Sequence, residues 1–219
     1  VSRARLMRRW AGFAIGAVAS GAFVFWSSPP SLREQVPAAP APASQPKEAS
    51  AQQKQDRWQK AREQLQQAAE AAPDATDFDR IVWIADAASM IAARIGDRGE
   101  AQAIAEAVYD TARSFGLDPA LVLAVIEVES GFDRFALSQA GARGLMQVMP
   151  FWKARIGDPE DNLFEIRTNI RYGCAILRYY LDREGSLTKA LAAYNGSNRS
   201  TRYPWKVFAA MRRFRGEAR

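Results

Sequence analysis

Between Asp118 and Gly131 the chain writes a helix that cannot lie on a surface. Asp118-Pro119 supplies a side-chain acceptor for the first turn, followed by the one residue whose missing N–H costs nothing there. Leu121 to Ile126 are all apolar, so hydrophobic surface wraps most of the helix and needs neighbours on most sides. Val122, Val125, Ile126 and Glu129 fall at i, i+3, i+4 and i+7, on one face. A carboxylate therefore ends an apolar face, just before Gly131 stops the helix. Ionised, it is costly to desolvate there, so it is paired, exposed in a cleft, or protonated. Arg134 and Arg143 are candidate partners, and Glu127 is an alternative polar exception. A buried carboxyl beside the negative end of a helix dipole holds its proton above the usual ~4.3 and suits a general acid.

The rest of the chain also reads as helix. Trp58, Ala61, Leu65, Ala68 and Ala72 recur at helical spacing, and Ile81, Ile84, Ala85, Ala88, Ile91, Ala92 and Ile95 form a stronger stripe ahead of Gly96. Glu100 to Phe115, Ile166 to Leu181 and Leu187 to Tyr194 follow the same period, and no alternating strand run stands beside them. The fold class is mainly α.

Composition limits the chemistry. With no histidine and a single cysteine, Cys174, Ser-His-Asp and Cys-His catalysis, HExxH zinc sites and Cys-based clusters are excluded. Cys174 lies in an apolar helical run and reads as a small core residue. The net charge of +6 comes without a zinc-finger or RNP pattern, so nucleic acid is not an expected partner. The arginines crowding the C-terminus, among them Arg212, Arg213 and Arg215, read as a solvated end.

Residues 1–9 hold a basic cluster, Arg3, Arg5, Arg8 and Arg9, and Trp10 to Trp26 contains no charge. As a helix that run spans roughly 26 Å at ~1.5 Å per residue, within the lower limit for crossing a bilayer. Arginines before it stay cytoplasmic, so residues 10–26 are expected to be a single-pass inner-membrane anchor or uncleaved signal, with the remainder in the periplasm. Residues 27–55, with Pro29, Pro30, Pro37, Pro40, Pro42 and Pro46, read as a tether. Residues 56–99 read as accessory helices and 100–215 as the main domain.

The segment after the buried helix carries more information. Glu129-Ser130-Gly131-Phe132, Ala136, Ser138, Gly141-Ala142, Gly144-Leu145-Met146-Gln147 and Met149-Pro150 resemble the family 1 (SLT-type) murein lytic transglycosylases, matching every fixed position of that family's first motif. Asn169 to Leu181 and Ala190 to Ser197 resemble its second and third motifs. One departure is that Asn195 runs directly into Gly196-Ser197, where many members read AYNAGPG. The resemblance covers about residues 112–215 and implies a lysozyme-like α-helical domain. It implies Glu129 as the single catalytic acid/base, with Ser130 and Ser138 supporting it or the substrate. Gly144, Leu145, Met146 and Gln147 would line the saccharide cleft, and Tyr194 and Asn195 would stand across it. The implied substrate is peptidoglycan, cleaved without metal or organic cofactor and leaving a 1,6-anhydromuramyl end. A goose-type hydrolase would need a second carboxylate, for which Asp133 and Asp161 are the candidates. A non-catalytic wall-binding accessory, or a partner in cell-wall or secretion machinery, is the remaining alternative.

Overall fold

The computed structural model describes residues 51–70, 78–197 and 200–216. The basic end, the anchor at 10–26 and residues 27–50 of the tether lie outside the described residues. Among the described residues no helix is long and apolar enough to cross a membrane.

The helices in chain order are α1 (Ala51–Glu70), α2 (Phe78–Ile95), α3 (Arg98–Ser114), α4 (Pro119–Glu129), α5 (Phe151–Ile156), α6 (Ile166–Glu184), α7 (Leu187–Tyr194) and α8 (Arg202–Phe214). No strand forms among the described residues; the loop from α4 to α5 makes only isolated antiparallel bridges, Leu137 with Arg143 and Arg143 with Val148. Local chemistry starts the main helices. The Asp97 and Asp118 side chains accept from the Glu100 and Ala120 N–H groups at 2.9 and 2.8 Å, and Glu165 accepts from Arg167 and Thr168 at the start of α6. Gly185, at φ 63°, closes α6 in the left-handed conformation.

Ala120 to Ile126 are all buried, as their sequence demands. The helix α4 packs chiefly on α8 and α3. A second buried helix, α6, carries α7, α1 and α3 around it, while α2 lies on α3. Trp58 of α1 stacks on Tyr179 of α6, ring centres 4.2 Å apart, so α1 is fixed to the core cluster through Trp58, Ala61 and Leu65.

Two expectations change. The tether was expected to reach residue 55, but α1 begins at Ala51; the prolines end at Pro46, and the Gln- and Lys-rich segment after them has good helix propensity. The arginine-rich C-terminus is not a solvated end. It forms α8, which buries Tyr203, Val207, Ala210, Met211 and Phe214, and two arginines at its end are paired: Arg213 with Glu127 at 2.5 Å, and Arg215 with Asp118.

Candidate active site

Glu129 is the last residue of α4, and Ser130 caps the helix with its N–H on Ile126 O and its Oγ donating to the same carbonyl at 3.2 Å. Tyr203, in the first turn of α8, donates its Oη–H to Glu129 Oε1 at 2.7 Å. Burial raises the Glu129 pKa, and the Tyr203 bond, which favours the carboxylate, only partly offsets it. Tyr203 is 7% exposed. Burial first, then the charges of Glu129 and Tyr194, push its pKa far up, so it remains a hydrogen-bond donor. Tyr194, closing α7, is pushed up by burial and by the charge of Glu129. The two phenols and the carboxyl form one neighbourhood, in which burial raises Glu129 and keeps both phenols protonated.

Glu127 is distinguished from Glu129 by long-range partners. Arg94 of α2 and Arg213 of α8 both reach Glu127 Oε1, at 2.8 and 2.5 Å. Neither Arg134 nor Arg143 pairs with Glu129 among the described residues.

The loop after the acid is held by one buried amide. Asn169 of α6, 1% exposed, donates its Nδ2 hydrogens to Arg143 O and Leu163 O at 2.8 and 2.7 Å and accepts from Met146 N–H at 2.8 Å. This bond set explains Gly144. Its φ is +72°, and a Cβ there would sit 2.5 Å from Asn169 Nδ2 and against Leu163 O. Gly173 makes room in the same way for Met146, whose Cβ would lie 2.7 Å from a methyl placed on that glycine. The Met146 carbonyl is in turn held by Tyr194 Oη at 2.8 Å. Gln147 takes φ +48° and spends its Nε2 on Ala136 O and Gly144 O at 3.1 and 3.0 Å, which leaves its Oε1 as the side-chain acceptor.

The sequence profile of the Transglycosylase SLT domain matches residues 106–207. This is an SLT-type transglycosylase domain. A protein named Transglycosylase from Enterobacteria phage PRD1 is 36% identical over 109 residues, 47% of this chain and 40% of the phage protein. The Membrane-bound lytic murein transglycosylase C of Mannheimia succiniciproducens is 37% identical over 79 residues, 32% of this chain and 22% of its own length. Its counterpart in Photorhabdus laumondii is 33% identical over 99 residues, 37% and 28% of the two chains. The chain thus spans well under half the length of these relatives.

Within the SLT domain the expected site residues fall into three groups. Tyr194 is bonded to the Met146 carbonyl beside Gln147 and feels the charge of Glu129. Ser130 and Ser138 spend their hydroxyls on backbone: Ser138 Oγ accepts from Ala142 N–H at 3.0 Å and closes the turn through Gly141. Leu145 and Met146, 1% and 0% exposed, lie beneath the surface, while Asn195 is exposed and accepts from Ser197 Oγ at 3.2 Å. Among the described residues neither candidate for a second carboxylate bonds to Glu129 or Tyr203. Asp133 accepts from Phe135 N–H at 2.8 Å, and Asp161 accepts from Tyr172 Oη at 2.5 Å.

Sequence reasoning missed Tyr203 and Asn169. Tyr203 had a visible signal, an aromatic leading the i, i+4, i+7, i+8 stripe of α8, but the arginines around it suggested a solvated tail. Asn169 stood in the second motif as a polar residue in line with Tyr172, Gly173 and Ile176 on an otherwise apolar helix face, the pattern of a buried amide with backbone to satisfy.

Proposed function

We propose that the chain is a murein lytic transglycosylase that cleaves the β-1,4 bond between N-acetylmuramic acid and N-acetylglucosamine in peptidoglycan. The observation that carries the reading is the Glu129–Tyr203 pair: a buried carboxyl of raised pKa, hydrogen-bonded by a phenol, inside an SLT domain. Protonated Glu129 gives its proton to the bridging oxygen as the C1–O bond breaks, and the leaving N-acetylglucosamine departs with a 4-hydroxyl. Positive charge develops at the muramyl C1, shared with the N-acetyl group. Glu129, now ionised and held by the Tyr203 hydroxyl, takes the proton from the muramyl C6 hydroxyl as O6 bonds to C1. The product is a 1,6-anhydromuramyl end, Glu129 is reprotonated, and no water is consumed. One carboxyl is acid and then base, and the intramolecular nucleophile has the advantage of proximity over water. Among the described residues neither Asp133 nor Asp161 is hydrogen-bonded to the Glu129–Tyr203 pair, which favours this over a hydrolase needing a second carboxylate at the reaction centre.

In this reading Gln147 and Asn195 contact the glycan, Gly144, Leu145 and Met146 form the buried floor beneath the cleft, and Ser130 and Ser138 hold the loop. Residues 100–215 act as the catalytic unit and 56–99 as accessory helices, with residues 10–26 anchoring the chain in the inner membrane and the domain in the periplasm. The uncharged composition of residues 10–26 supports that anchor, and the relatives named membrane-bound support membrane association. The test is mass spectrometry of sacculi digested by the wild type and by Glu129→Gln. Anhydromuramyl ends lost in the variant are expected. Reducing ends, one water heavier, would indicate a hydrolase, and no Glu129-dependent product would indicate a binding module.

A further inference from the structure

The loop that follows the acid carries an unused pair of positive charges. Arg94, Arg80, Arg178, Arg213 and Arg215 all sit on carboxylates, yet Arg134 and Arg143 have none among the described residues. Arg134 is half-buried, and its Nε is sequestered without a hydrogen-bond partner. A partly desolvated guanidinium without a carboxylate is unfavourable in the free protein and would be stabilised by a bound anion. The nearest acid in sequence, Asp133, already accepts the Phe135 N–H.

What the two arginines do contact is aromatic. Arg134 Cζ lies 4.6 Å from the centre of the Phe135 ring, Phe135 lies 6.3 Å from Phe164, and Arg143 Cζ lies 5.9 Å from the Phe164 ring. These contacts make one continuous patch, and Phe135 and Leu137 within it are 64% and 66% exposed. A ring behind a guanidinium holds its plane by the face and leaves its N–H edge for a planar acceptor.

The patch is joined to the candidate cleft by short covalent and hydrogen-bonded links. Ala136 O accepts from both Gly144 N–H and Gln147 Nε2, at 2.9 and 3.1 Å. Leu137 bridges Arg143, and the Arg143 carbonyl is fixed by Asn169. Arg134 and Arg143 therefore belong to the same hydrogen-bonded loop as Gln147, so a strand lying along that loop would pass them. On the reading proposed above, that strand is peptidoglycan, in which each muramyl lactyl group carries a peptide with free carboxylates.

We propose that Arg134 and Arg143, backed by Phe135 and Phe164, form a carboxylate-binding subsite for the acidic peptide stem of the glycan strand. It rests on the proposed substrate, so the test separates the two. Binding is measured by co-sedimentation of the full chain in detergent, with Glu129→Gln in place to prevent cleavage. The polymers are native sacculi, sacculi whose carboxylates are converted to carboxamides, and amidase-stripped strands that keep only the lactyl carboxylate. The subsite predicts at least tenfold preference for native over amidated sacculi. Arg134→Gln/Arg143→Gln should reduce that preference at least tenfold, and Arg134→Lys/Arg143→Lys, which keeps the charge without the planar fork, should fall between. An unchanged preference in the glutamine variant overturns the proposal, as does equal loss on native and amidated polymer, which would make the arginines loop supports. Full retention of binding on stripped strands overturns the stem in favour of the lactyl carboxylate. Activity of the Glu129 wild type on native sacculi is read separately. Its absence would refute the catalytic reading while the binding preference still decides the subsite.

Discussion

Asn169→Asp is an almost isosteric change that should disable the loop beside the acid, with a cost set by pH. The new side chain keeps one oxygen for the Met146 N–H, but the other replaces the Nδ2 that donates to Arg143 O and Leu163 O at 2.8 and 2.7 Å. An ionised aspartate would face two carbonyl oxygens in a site 1% exposed, so the folded protein binds a proton there. A protonated carboxyl restores one donor of the two. The other carbonyl is left unsatisfied, at about 1–3 kcal/mol. Holding the proton adds a further term. The folded pKa is raised above the unfolded value of ~3.9, so the folded state binds more protons and stability falls as pH rises. The slope is about 1.4 kcal/mol per pH unit while the folded carboxyl stays protonated. From pH 4 to pH 7 this amounts to about 4 kcal/mol, a large part of the ~5–15 kcal/mol that holds a domain together. Urea unfolding of residues 47–219, followed by tryptophan fluorescence at pH 4, 5, 6 and 7, reads the slope. A deficit below about 1 kcal/mol at pH 7, or one independent of pH, would refute the role of Asn169 as the donor that fixes this loop.

Three other changes probe the same site. Tyr203→Phe removes the 2.7 Å bond that favours the Glu129 carboxylate. The Glu129 limb of the pH–rate profile should move to higher pH and the rate should fall ~10–100-fold, as befits a bond to a charged group; a fall without a shift of the limb would place Tyr203 elsewhere in the mechanism. Glu129→Gln should raise the melting temperature at pH 7 more than at pH 4. Burial raises the folded pKa of Glu129, so the wild type loses stability as pH climbs above the unfolded value of ~4.3, and equal gains at both pH values would contradict a raised pKa. Gly173→Ala drives a methyl toward Met146 Cβ, 2.7 Å away, and should cost about 1–3 kcal/mol by overpacking. Thermal denaturation within about 0.5 kcal/mol of wild type would show that Met146 has room to move.

Much of this was legible where local chemistry and burial agree. The α4 helix has its Asp118 cap, its Pro119 and an apolar run whose only consistent solution is burial, and α7 spans Leu187–Tyr194 as its period indicates. The short α5 was not legible: Pro150 precedes it without a side-chain cap bond, and six residues give no period to read. The α8 helix was obscured by its arginines, since charge on the outer face reads as a solvated tail until the stripe beneath it is traced. The choice between Glu127 and Glu129 could not be made locally, because the partners that decide it, Arg94, Arg213 and Tyr203, come from α2 and α8.

The absence of histidine gives that choice its meaning. A chain without imidazole must tune some other group into the neutral range, and burial tunes acids and phenols in the same direction. It raises Glu129 toward a useful value and drives Tyr194 and Tyr203 away from one. The two tyrosines therefore act as fixed donors, Tyr203 on the acid itself and Tyr194 on the Met146 carbonyl. A two-carboxyl site separates acid from base between residues. In the proposed mechanism one carboxyl is both in succession, and the donor that steadies its ionised form has to come from a neutral group that cannot take the proton back. Tyr203 meets that requirement because the burial that raises Glu129 also keeps the phenol protonated.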